Sequence, residues 1–135
     1  MFYNYDIMSR SILIKSFNFC FVDFLNDISS LYPLNKDIKT SLKSIELINR
    51  LNPSLVIKIW NSNIYIPYQS FIDAGDISFF IDKNYTEDLS SISNANDILL
   101  IIDRIREPIS SMSDSNRNHT MKYIQNLSKL SAAYV

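Results

Sequence analysis

The chain has 135 residues, 47% hydrophobic and 20% charged, with a net charge of −1. That describes one folded domain with room for a single core, excludes a disordered chain and leaves no overall basic field for holding nucleic acid. One glycine, one cysteine and one histidine leave little material for phosphate loops, disulfides or metal sites. Ile, Asn, Ser, Phe and Tyr crowd the sequence while Gly and Ala are scarce, a bias toward residues with A/T-rich codons.

In chain order, residues 1–6 are aromatic and read as an N-terminal arm. Ile14, Phe17, Phe21, Phe24, Ile28 and Leu31 then alternate steps of three and four, which predicts one face of a helix. Pro33 ends it. Asn35 is placed to cap a second helix running to about Arg50, with Ile38, Leu42, Ile45 and Ile48 inward. Asn52-Pro53 reads as the next helix start, with Leu55, Val56, Ile59 and Trp60 on one helical face. Leu55–Tyr68 has a second reading as a β-hairpin turning at Asn61-Ser62-Asn63; the helix is preferred for its Asn-Pro start and its helical neighbours.

Pro67 opens a further helical turn, and Gly75 suits its left-handed end. Asp76–Asp88 has no clean period, yet Ile77, Phe79, Phe80 and Ile81 are too apolar for a solvated loop. It reads as an irregular segment packed on the core, then a short helix near Tyr85 or Thr86. Ser90–Asn96 reads as a polar linker, with Asn94 or Asn96 capping the next helix. That helix carries Ile98, Ile101, Ile102, Ile105, Ile109 and Met112, and Pro108 should kink or break it. A last helix carries Tyr123, Ile124, Leu127, Leu130 and Tyr134. The expected fold is all-α, a single domain over residues 1–135 with about five or six helices.

Candidate chemistry is thin. His119 is the lone histidine and reads as exposed in the first turn of the last helix, without a partner acid to make it a general base. Cys20 lies among Phe17, Phe19, Phe21 and Phe24, which suggests a small core residue in a reducing compartment. One Cys and one His do not close a zinc site. Asp73, Asp76, Asp82, Glu87, Asp88 and Asp97 face only Lys83 between them, but the calcium-loop alternation is missing. With a single glycine, the common nucleotide loops are out. No catalytic residue, metal or cofactor is expected. Neither a signal peptide, a bilayer span nor a lipid anchor is expected from the sequence.

Two binding surfaces remain. Exposed aromatics mark protein interfaces, and Phe2, Tyr3, Tyr5, Trp60, Tyr65 and Tyr68 are the candidates. The alternative is a nucleic-acid face built from Arg104, Arg106, Arg117, Lys122 and Lys129. Lys122 and Lys129 share a helix face, and Tyr123 beside them offers a ring for stacking.

Asn52-Pro53-Ser54-Leu55-Val56-Ile57-Lys58-Ile59-Trp60, Gly75-Asp76-Ile77-Ser78-Phe79-Phe80, Arg106-Glu107-Pro108-Ile109 and the run Met121–Ser131 resemble small uncharacterised proteins of large nucleocytoplasmic DNA viruses that infect algae and protists. The resemblance covers about Leu47 to Tyr134, and the codon bias is consistent with it. It implies a virion or virus-factory protein and assigns no functional residue. The expected function is a non-enzymatic protein–protein interaction module, a structural or assembly component whose partners are other virion proteins or further copies of itself. The alternative is a nucleic-acid-associated regulator.

Overall fold

A computed structural model describes the backbone of residues 2–82 and 93–135, and the side chains of residues 9–81 and 97–135. Among the described residues every element is helical: α1 (Phe2–Leu31), α2 (Lys36–Leu51), α3 (Leu55–Trp60), a π turn (Asn61–Tyr65), α4 (Ile66–Ala74), α5 (Ser78–Asp82), α6 (Ser93–Ser110) and α7 (Asp114–Tyr134). The all-α expectation holds, and Leu55–Tyr68 is helix rather than hairpin.

α1 starts at Phe2, so the segment read as an arm forms the first turns of that helix. No Gly or Pro interrupts it before Pro33. Phe17, Phe21, Phe24 and Ile28 are fully buried, as is Leu25, while Leu31 stays 41% exposed. α2 is capped as expected: the Ile38 N–H donates to Asn35 Oδ1 at 3.2 Å, which satisfies one of the free donors of the first turn.

The next junction differs from the expectation. Asn52 closes α2, its N–H donating to the Ile48 carbonyl at 2.8 Å. Ser54 takes the N-cap position of α3 without a side-chain cap bond. Pro53 therefore lies outside the helix, where the missing N–H costs nothing.

Pro67 shapes the junction between α3 and α4. It removes a donor and crowds the preceding turn. The backbone widens into the π turn, where the Ile66 N–H reaches back to the Asn61 carbonyl. Just past the proline, Tyr68 leaves helical geometry at φ −120° and ψ 22°. Gly75 ends α4 at φ 75°, with its N–H on the Ile72 carbonyl and the Asp76 N–H on the Phe71 carbonyl. That bond pair is the Schellman motif, and glycine takes its left-handed position without a Cβ penalty. Gln125 Nε2 also donates to the Ile72 carbonyl, at 2.9 Å, tying this helix end to α7.

The segment read as irregular is a short helix over Ser78–Asp82. Asp76 Oδ1 accepts from the Ser78 N–H at 3.0 Å, a local turn that a carboxylate near a helix start stabilises. Phe80 is fully buried and Phe79 is 8% exposed, so the packing on the core holds. The helix read near Tyr85 or Thr86 lies outside the described residues, as do Lys83, Glu87 and Asp88. The backbone of 93–96 is already helical, so Asn94 and Asn96 sit inside α6 instead of capping it.

Pro108 does not break α6, which continues to Ser110. The proline removes one backbone donor and crowds the Arg104 carbonyl, while the buried Ile105 and Ile109 on either side of it keep the helix on the core. Ser113 caps α7 by accepting from the Asn116 N–H at 3.2 Å.

α1 packs on α2 and α7, α3 and the π turn on α7, and α2 and α5 on α6. The core runs through this assembly from Phe17 to Leu127.

Candidate functional site

Trp60 belongs to the core, which corrects its reading as an interface residue. It is fully buried. Its ring meets Phe17 and Phe21 edge-on, with centroids 6.3 and 5.9 Å away. Its indole N–H donates to Ser128 Oγ at 3.0 Å. Next along the chain, Asn61 Nδ2 donates to Ser131 Oγ at 3.3 Å, and Ser131 donates to the Ser128 carbonyl at 2.8 Å. Small residues at 128 and 131 let α7 approach closely, and their hydroxyls satisfy the polar groups trapped there. The backbones of Phe2, Tyr3 and Tyr5 lie in α1, and their side chains are outside the described ones.

Tyr65 and Tyr68 do reach the surface, each half-buried. The Tyr65 hydroxyl donates to Asp73 Oδ1 at 3.1 Å. Tyr68 stacks on Phe79 with centroids 5.3 Å apart, and Phe71 stacks on the same ring at 6.1 Å. Phe71 is 44% exposed. The kink at Pro67–Tyr68 and the Asp76 turn thus bring α4 and α5 together as an aromatic patch, with exposed Gln69, Ser70 and Asp73 on α4 beside it. An apolar centre with polar residues around it is the usual anatomy of an interface. Phe71 was missed in the sequence because helical periodicity does not show a ring half-exposed at a kink.

The second surface is the α1–α7 seam. Asp27 Oδ2 lies 3.8 Å from His119 Nε2. Asp23 Oδ2 accepts from the Tyr123 hydroxyl at 2.8 Å. Cys20 Sγ lies 3.7 Å from Asn126 Nδ2. Steps of four and three back along α1 match steps of four and three forward along α7, an antiparallel ladder of polar pairs. Arg10 stacks over the Tyr134 ring at 4.8 Å toward its far end. The Tyr123 ring lies on Phe24 at 5.1 Å.

Partial burial pushes the Cys20 thiol up; the Asn126 hydrogen bond opposes this and the Asp23 charge adds to it. A thiol held protonated is a poor nucleophile. Tyr123 is held well above the ordinary 10.0, chiefly by lost hydration, then by its bond to Asp23 and the carboxylate charges of Asp23 and Asp27. The neutral phenol is therefore the folded form. Its contribution to stability is complete below pH 10.0 and is lost as pH rises through the higher folded value. In an ultraviolet tyrosine titration, the difference between wild type and Tyr123→Phe should be a phenol ionising later than a free tyrosine. Asp23→Asn should bring it part of the way back. An ordinary titration of Tyr123 would show that the seam is open to water.

The cationic candidates do not form one face. Lys122 and Lys129 are exposed and share a shallow depression on α7 with His119, Gln125 and Asn126. Arg106 Nη2 pairs with Asp103 Oδ1 at 3.4 Å on α6, and Arg104 is half-buried on the same helix. The Arg117 guanidinium donates to the Ser110 carbonyl, capping the negative end of α6. On α7 it lies about 140° around the helix from Lys122. The Tyr123 ring offered for base stacking is covered by Phe24 on one side, and its hydroxyl is engaged.

Among the described residues, no three acidic, His or Cys side chains gather to hold a metal, and no helix is long and apolar enough to cross a membrane. No family model, curated protein or solved structure matches the chain.

Proposed function

We propose that this chain is a non-enzymatic protein–protein interaction module that docks through the α4–α5 aromatic patch. The observation that carries the reading is Phe71, 44% exposed while held in a fixed stack on Phe79. A rigid, half-buried aromatic loses little freedom on binding and contributes a large apolar area. The α1–α7 seam also supports this reading, because the Tyr123 hydroxyl is taken up by Asp23 there. The wider role is a structural or assembly component of a large DNA virus, in the virion or virus factory, with other virion proteins or further copies of itself as partners. That part rests on the resemblance and the codon bias. The nucleic-acid alternative keeps Lys122 and Lys129, exposed on one face of α7.

The test is a nuclease-treated pull-down of tagged protein from the cells that naturally make it, in wild-type and Phe71→Ser forms. The variant should lose its protein partners, with a Kd weakened on the order of 30-fold or more, as expected for an aromatic hot spot. Its unfolding free energy should move by less than about 1 kcal/mol, because the side chain is half-exposed. Full retention of partners by Phe71→Ser would remove the patch from consideration. Loss of every partner on nuclease treatment would put Lys122 and Lys129 first.

A further inference from the structure

α2 carries a row of cations beside exposed leucines. Its buried residues Ile38, Ser41 and Ile45 define the inner side. At about 100° per residue, Lys36, Lys39, Lys43 and Arg50 fall in one sector about 60° wide, nearly opposite that side. All four are exposed. Among the described residues none of them has an ion-pair partner. Glu46 alone borders the sector on its far edge. In a chain of net charge −1, these four cations form a stripe on one helix face.

Apolar side chains lie beside them. Leu47 is 50% exposed and Leu51 is 76% exposed, and their angular positions adjoin Lys36 on the other edge of the stripe. Leu34, in the turn leading into the helix, is 92% exposed. Isolated exposed leucines need no explanation, but here they flank a row of unpaired cations.

A nucleic-acid backbone would use the cations and gain nothing from the leucines. An anionic bilayer uses both: headgroup phosphates and carboxylates meet the Lys and Arg heads, while leucines and lysine stems enter the acyl boundary. We propose that the outer face of α2 is a peripheral docking surface for an anionic lipid bilayer. This surface is separate from the α4–α5 patch and stands without it.

The test is co-sedimentation of the full chain with phosphatidylcholine vesicles made with and without phosphatidylserine. Binding should require phosphatidylserine and weaken with added salt. Each Lys or Arg near such a surface strengthens binding about fivefold. The double variant Lys39→Glu/Lys43→Glu should therefore lose at least about 25-fold. Leu47→Ser/Leu51→Ser should lose several-fold while keeping the salt dependence. All four positions are exposed, so the thermal midpoints of both variants should match wild type. Phe71→Ser should bind vesicles normally, which separates this surface from the protein-docking one. Equal binding to neutral vesicles, or no binding to anionic ones, overturns the proposal. So does tighter binding to a nucleic-acid duplex that ignores the leucine changes.

Discussion

Trp60→Ala is expected to cost about 3–5 kcal/mol of folding stability, the range for emptying a large aromatic site in a packed core. The ring is fully buried at the meeting of three helices. Phe17 and Phe21 of α1 lie against it, and Ser128 of α7 accepts its N–H. Removing it opens a cavity and strands the Ser128 hydroxyl inside. Domains of this size hold roughly 5–15 kcal/mol in total, so the variant should stand near its unfolding threshold. Urea unfolding measures this directly. Trp60→Phe keeps most of the apolar volume but removes the donor and part of the ring, so it should cost about 1–3 kcal/mol. A Trp60→Ala protein as stable as wild type would return Trp60 to the surface and restore it as an interface candidate.

How far the sequence reached depends on what kind of signal each element carries. Phe17, Phe21, Phe24 and Ile28 repeat at helical spacing, and the helix they predict is observed with those four side chains buried. Asn35 and Gly75 act at their own positions, through one hydrogen bond and one φ angle, so local chemistry was enough to place them. Asn52 failed because an Asn suits either end of a helix, and here it closes α2 instead of opening α3. The break read at Pro108 does not occur, because the buried Ile105 and Ile109 on either side of it hold α6 against the core. The α1–α7 ladder was half legible. Asp23 and Asp27 are four apart, as are His119 and Tyr123. Spacing within a helix does not say which two helices meet. Trp60 was misplaced for the same reason: its partner Ser128 lies far along the chain on α7. Amphipathic pattern gives an inner side to each helix, but neighbours decide whether a borderline aromatic is covered.

Phe21→Ala is expected to cost about 3–5 kcal/mol as well, and its pairing with Trp60 should be measurable. Phe21 is the hub of the aromatic core. Phe17 stacks on it with centroids 6.1 Å apart. Phe24 meets it at 84° and Trp60 at 82°, the edge-to-face arrangement that aromatic quadrupoles favour. Phe19, two residues away on α1, is 75% exposed, so Phe19→Ala should change stability by no more than about 0.5 kcal/mol. The same substitution on two faces of one helix thus tests the burial assignment with chemistry held constant. A double-mutant cycle between positions 21 and 60 should give a coupling of about 0.5–1.5 kcal/mol. Running it with Phe21→Leu and Trp60→Leu removes both rings while keeping an apolar side chain at each site. Additive effects would mean that the two rings do not touch in solution, and the docking of α3 on α1 would then have to be redrawn. A coupling in this range would fix α3 on α1 as observed. The surfaces on α4–α5 and on α2 would then stand on a rigid base, and loss of binding at either could be read as loss of contact rather than of fold.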